Sequence, residues 1–402
     1  MDSISILKNT IQTYAWGSYT AIPELTGEKT PSDTPQAELW MGAHPKSPSM
    51  VRHDGDWVSL AMLTEKYPEA ILGKTVAEKY NKRLPYLLKV LAATKPLSLQ
   101  AHPGSEQARQ GFERENRLGI PLDAPNRNYK DDSHKPECIC ALTPFWGLNG
   151  FRKISDTLLL MEKLCPKRLE KEFDDLLNQP YSQGIKNLFH GLMTMSPERR
   201  KQVVGNAVVN AKKYLKDRPE FEWIIRLHNE YPSDIGVLSP VFLNLVRLEP
   251  GEAMFLESGE LHAYLEGVGI ELMANSDNVL RGGLTPKHVD IAELLQVLSF
   301  REENVGRLVR EKISNCEEVY PARAEEFVLS FVSLERDMGA VQFSNTGPTI
   351  LLCTQGSAIL SDAGKNHDTD IRKGMSALVP AAVAAYQIRG DARFYKASVP
   401  QQ

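Results

Sequence analysis

The sequence predicts a mainly β protein interrupted by a helical insertion, and three observations carry that prediction. Apolar runs of strand length, separated by Pro- and Gly-containing turns, fill residues 84–102, 135–145 and 238–265. Between them, residues 153–231 change to helical spacing of Leu, Ile and Val. From about residue 322 the pattern of strands and Gly turns returns. Strands this short, broken at this spacing, suggest a jelly roll.

Each element follows from its own residues. Residues 84–91 (LPYLLKVL) read as a buried strand and 96–102 (PLSLQAH) as a second. Residues 104–118 read as a charged surface helix with Ser105 at the N-cap, and strand character resumes over 135–145. The insertion reads as helices over 155–164, 169–177 and 185–195. Ser196-Pro197-Glu198 then opens a further helix through Val204, Val208 and Tyr214, with proline at the first helical position. Nothing in this block looks catalytic. Strands are expected at 241–248, 253–256 and 261–265, parted by Pro250-Gly251 and Ser258-Gly259 turns. Thr285-Pro286 predicts a helix start, with Val289, Ala292, Leu295 and Leu298 on one face. Runs at 349–353, 358–360 and 377–379 predict a second, smaller barrel. The expected division is a discontinuous catalytic domain (1–152 and 235–320), a helical insertion (153–234) and a C-terminal β domain (321–402).

Bulk properties narrow the function classes. A net charge of −4 over 402 residues gives no pull toward nucleic acid or acidic lipid, so an anionic substrate needs a local basic pocket. The first residues, MDSISILKNT, lack the pattern of a secretory signal, and no apolar run has the length of a membrane span. Five sparse cysteines read as reduced thiols of a cytoplasmic protein, expected here as a monomer. Cys138 and Cys140 are too close for a zinc knuckle and read as strand residues.

Three segments carry metal-ligand chemistry. Strand alternation puts Ser98, Gln100 and His102 on one face, Lys135 and Glu137 on another, and His262 and Tyr264 on a third. If those faces converge, two imidazoles, a carboxylate and an amide oxygen meet, a set that suits a divalent metal working as a Lewis acid. Taken singly, each reads better as an ordinary satisfied or exposed polar residue, and spacing alone does not show that the three segments converge. No Gly-rich phosphate loop precedes a helix, and no nucleophile elbow is present.

Five stretches are similar to the type I phosphomannose isomerase family: QTYAWG (12–17), AELWMGAHP (37–45), LSLQAHP (97–103), HKPE (134–137) and GIELMANSDNVLRGGLTPK (269–287). The similarity runs in order from about residue 6 to 300 and is looser over the last hundred residues. Gly282 stands where the family usually shows Ala. The resemblance implies a cupin-type jelly roll with a helical domain and a further β domain. It implies one zinc ion per chain on Gln100, His102, Glu137 and His262, and pocket positions at Trp16, Glu38, Lys89, Ser98, Lys135, Tyr264, Glu271, Asp277, Arg281 and Lys287. The implied reaction interconverts mannose 6-phosphate and fructose 6-phosphate. Lys89, Lys135, Arg281 and Lys287 would then supply the positive field that a phosphate dianion requires. Glu271 is favoured as the base, with His134, Lys135 and Asp277 as rivals, and Arg281 would hold the enediolate or the phosphate. Two other readings stay open: a non-haem iron oxygenase, since two His and a Glu also form a facial triad, and a catalytically silent sugar-phosphate-binding protein.

Overall fold

The computed structural model describes residues 2–165, 168–302, 305–363 and 368–400. Two antiparallel sheets of eleven strands dominate it, with helices gathered mainly between residues 154 and 230. The mainly β character with a helical insertion agrees with the expectation. No helix among the described residues is long and apolar enough to cross a membrane.

The first sheet is organised by the strand His262–Ala274, longer than the run 261–265 expected from sequence. Its second half pairs with Tyr86–Ala93 on one side and Glu137–Ala141 on the other. Its first half pairs with Phe145–Phe151, and His262 also bridges to Leu99–Ala101. The strand thus serves two layers. Gly267 stands at the change, with φ +130°, and a Cβ there would come within 2.8 Å of the Phe145 backbone. Glycines at 267 and 269 hide the strand's length from a propensity reading.

Alternation sorts the faces. Leu88, Val90 and Ala92 of one strand and Ile270 and Leu272 of its neighbour pack against Ile350, Leu352, Tyr395 and Ala397 of the second sheet. Their alternate residues point the opposite way, where Leu91, Ile139, Phe145, Met254 and Tyr264 close an interior between the two layers. The helical block covers the outside of the second layer, with Leu160, Phe189, Val204 and Leu227 packed on Leu148, Phe151 and Leu261.

The second sheet draws on both ends of the chain. Beside strands Val328–Leu334, Thr349–Asp362, Ser376–Val379 and Ala385–Ser398 it takes in Ser5–Lys8, Met50–His53 and Asp56–Ser59. These strands fall within 1–152, the stretch expected to belong wholly to the other unit. The expected strands 349–353 and 358–360 are one continuous strand.

Local differences have local causes. Gly104, not Ser105, is the N-cap of Ser105–Arg117, because the Gln107 side chain accepts the Gly104 N–H at 2.9 Å. The helix expected from Thr285 begins only at Ile291, where Asp290 Oδ1 accepts from Glu293 N at 3.0 Å; the Thr285 hydroxyl instead closes a turn onto Lys287 N. Val241 and Phe242 belong to the single helical turn Ser239–Phe242 rather than to the strand that follows. Ser196 caps Pro197–Ala211 as expected, accepting from Arg199 N.

Candidate metal centre

Register explains how the segments converge. Glu137 ends up opposite Met273, two residue pairs along from Ile139 and Glu271, which oppose each other across the same ladder. On the other layer, His262 stands between Asn149 and Gln100, and Gln100 pairs in turn with Arg281. His102 follows Leu99–Ala101 and folds in beside them.

The donor atoms of His102, Glu137 and His262 lie within 4.8 Å of one another, and all three side chains are buried. His102 Nδ1 is 2.7 Å from Asn278 O and His262 Nδ1 is 3.0 Å from Glu260 O. A carbonyl only accepts, so each Nδ1 carries the proton and each Nε2 presents a lone pair. Those lone pairs face Glu137, with His102 Nε2 3.2 Å from Oε1 and His262 Nε2 3.6 Å from Oε2. His102 Nε2 is buried without a hydrogen-bond partner among the described residues. Burial, then the charge of Lys135, holds His102 below the usual histidine range; burial and the neighbouring His102 bring His262 down to about 4. Burial would raise the Glu137 carboxyl, but opposing effects led by the charge of Lys135 hold it well below its ordinary range. Two neutral imidazoles and an ionised carboxylate, aimed at one point with no proton between them, form a cation site, and the donor set fits zinc.

Beside it lies a buried charged row. Lys89 Nζ is 2.8 Å from Glu271 Oε2 and 3.4 Å from Glu38 Oε1, and it sits 5.3 Å over the Trp40 ring. Glu38 also accepts from Trp40 Nε1 at 3.0 Å. Burial opposes the Lys89 charge, but Glu271 and Glu38 more than offset it and raise its pKa. Glu271 is raised too, because burial together with the charges of Glu137 and Glu38 exceeds the pull of Lys89.

Sequence comparison gives this geometry a family. A model of the phosphomannose isomerase type I catalytic domain matches residues 4–154. Over 391 residues, the chain is 40% identical to the mannose-6-phosphate isomerase of Shigella flexneri, covering 96% of this chain and 97% of that protein. The chain belongs to the type I phosphomannose isomerase family. The mannose-6-phosphate isomerase of Salmonella typhimurium is 42% identical over 88% of this chain and 89% of its own length. A zinc-bound crystal structure of a mannose 6-phosphate isomerase superposes with a TM-score of 0.91 at 38% identity, covering 99% of this chain and all of that one.

Most of the expected isomerase pocket gathers here. Lys135 Nζ pairs with Glu137 Oε1 at 2.9 Å, and the Tyr264 hydroxyl donates to Glu137 Oε2 at 3.4 Å. Gln100 donates its amide N–H to Ser98 Oγ at 3.3 Å. Trp16 packs on the interior cluster and stacks on Tyr14, centroids 5.7 Å apart. Arg281 and Lys287 have no anionic partner among the described residues. Burial lowers the pKa of both, and Arg281 lowers Lys287 further. Asp277 lies near Tyr14 and is fastened to His44 Nε2 (3.4 Å) and Lys46 Nζ (2.8 Å). Burial would raise Asp277, but these two partners hold it far below the usual carboxylate range, which leaves it a poor proton acceptor. His134 is not among the gathered residues. Its Nε2 pairs with Glu326 Oε1 at 2.7 Å in a cleft of about 320 Å³ lined by Lys79, Arg83 and Asn275 and by none of the metal-binding residues.

Sequence reading passed over Trp40, His44, Tyr14 and Asn149. The first three lie inside or beside the quoted family-like stretches, so their position in those motifs was the available signal. Asn149, whose Oδ1 is buried without a partner next to His262, carries no local signal at all.

Proposed function

We propose that the chain is a zinc-dependent aldose–ketose isomerase that interconverts D-mannose 6-phosphate and D-fructose 6-phosphate through a cis-enediolate. One observation carries this: a buried cation site of two imidazoles and a carboxylate stands beside a buried Lys–Glu pair and two basic side chains that have no anionic partner among the described residues. Gln100, His102, Glu137 and His262 would hold the metal. A bound zinc ion supplies Lewis acidity toward sugar oxygens and no redox chemistry, which suits a reaction that needs no oxidant.

The remaining steps belong to the protein's own groups. Arg281 and Lys287 take the negative oxygens of the phosphate or the enediolate. Glu271 removes the proton at C2 of the aldose; the electron pair forms the C1–C2 double bond and O1 gains the negative charge. Return of that proton to C1, with transfer of the O2 proton to O1, gives the ketose. Lys89 fixes the Glu271 carboxylate through its 2.8 Å contact, and the raised Glu271 pKa keeps the protonated form within reach during turnover. Among the rivals, Lys135 is engaged with Glu137, Asp277 is held as a fixed anion and His134 stands in another cleft. Tyr264, Ser98, Trp16 and Glu38 would shape the sugar pocket.

The layered arrangement around this interior supports a cupin-type jelly roll for residues 1–152 and 235–320, less the three strands lent to the second sheet. A second barrel for 321–402 is supported by its own enclosed core of Val332, Leu351, Leu360 and Phe394. The five cysteines, all buried and unpaired, support a reducing cytoplasmic setting.

The test is a coupled assay on mannose 6-phosphate with and without a chelator. Conversion is expected with metal, is lost on chelation and returns with added zinc. Fully metallated protein that leaves both sugars unconverted overturns the reading, and oxygen consumption by that protein would point to an oxygenase instead.

A further inference from the structure

We infer that His44 is a positioning residue for the isomerase reaction, holding the Asp277 carboxylate and the Trp40 wall of the Lys89–Glu271 pair in one arrangement. The inference rests on the proposed isomerase reading. His44 follows Glu38–Gly42, the strand that supplies Glu38 and Trp40, and it is 3% exposed, too deep for a solvated surface histidine.

Its two nitrogens have distinct partners. Nδ1 accepts the backbone N–H of Lys46 at 3.3 Å, which leaves the proton on Nε2. Nε2 then donates to Asp277 Oδ1 at 3.4 Å, while Lys46 Nζ holds Oδ2 at 2.8 Å. The ring edge also meets Trp40, centroids 4.8 Å apart, and Lys89 lies over the same Trp40. His44 therefore touches both Asp277, just past the end of His262–Ala274, and Trp40, two strands away in the same sheet.

The Asp277 side of the clamp controls more than one carboxylate. Asp277 N donates to Asp131 Oδ2 at 2.8 Å, and the next residue, Asn278, supplies the carbonyl that orients His102. Arg281 lies three residues further on, paired with Gln100. Freed from His44, the 275–279 turn loses one of its fastenings, and the groups on either side of it lose their common reference. Misplacement on the ångström scale is enough to lower turnover by about 10- to 100-fold.

The experiment compares His44→Ala, His44→Gln, Asp277→Asn and the double variant His44→Ala/Asp277→Asn in the zinc-loaded enzyme. Zinc content and melting midpoint are measured on each. His44→Ala is expected to lower kcat/KM by about tenfold or more at unchanged zinc content. The Gln amide can donate from nearly the same point as Nε2, so His44→Gln is expected within about threefold of the parent. The double variant should lose less than the product of the two single losses, since His44 and Asp277 share one contact. Parent-like kinetics of His44→Ala, or fully multiplicative losses in the double variant, overturns the inference. Should His44→Ala fail to fold, a His44→Gln protein that folds with full zinc but is slowed tenfold overturns it equally. An inactive parent enzyme would instead indict the isomerase reading and is recognised before any variant is made.

Discussion

In the sheet that carries the candidate metal ligands, the interior face holds Lys89, Glu271, Glu137 and Tyr264, each at most 6% exposed. The inner face of the second sheet holds Val332, Leu351, Leu360, Ile388 and Phe394. Both sheets have eleven strands, and both use alternation to turn one set of side chains inward and the next set toward their shared apolar layer. The difference lies in what has been enclosed. Removing charges from water costs several kcal/mol each unless partners compensate, and a hydrocarbon filling of equal volume is often as stable or more so. The first interior therefore gives up stability that the second retains. Such a concession marks a place where chemistry, rather than packing, selects the residues.

Variants sharpen that contrast. Glu271→Gln should leave zinc content intact and lower kcat by about 100-fold or more, the range for loss of a general base; unchanged turnover in a steady-state assay removes it from that role. Lys89→Met strands Glu271 and Glu38 in the interior without their cation, and denaturant titration should show a loss of roughly 3–5 kcal/mol together with lost activity. Leu351→Ala in the second core should cost a similar 2–5 kcal/mol but leave kcat of the folded fraction near that of the parent. A large drop in kcat there would mean that the second sheet shapes the site directly, not merely as support.

The smallest effect comes from a group outside both interiors. The hydrogen bond to Glu326, set against burial, raises His134 above its ordinary value of 6.5. A group raised on folding stabilises fully below its unfolded pKa, and the benefit fades as pH climbs through the folded value. His134→Asn should therefore flatten the decline in stability above about pH 6.5, by less than about 1 kcal/mol, in thermal melts taken across that window. A stability curve identical to the parent's shows that the pair contributes nothing.

The contrast also explains what could be read from sequence. His102, Glu137 and His262 sit in short segments whose two-residue alternation fixes which neighbours share a face, so each was a local candidate, though singly it read as an ordinary polar residue. The meeting of Lys89 with Glu271 depends on register between strands 182 residues apart, which no local pattern encodes. Resemblance supplied those positions; physics alone left them as ordinary charges. His44 and Asn149 escaped because a single buried polar residue looks the same in sequence whether or not it faces a site. The helix expected at Thr285-Pro286 failed for a different reason. A Thr-Pro pair opens turns as readily as helices, and only Asp290 offered an acceptor three residues before a free N–H.

The pairing of Ser5–Lys8 with Ser376–Val379 has a consequence for biosynthesis. Ser5–Lys8 leaves the ribosome well before Ser376–Val379 and cannot pair with it until that later strand has been translated. Until then its edge, and those of Met50–His53 and Asp56–Ser59 beside it, stay open to other nascent chains. Slowing translation late in the message should lengthen that exposure and lower the soluble yield, an outcome that synonymous codon changes downstream of residue 350 would reveal.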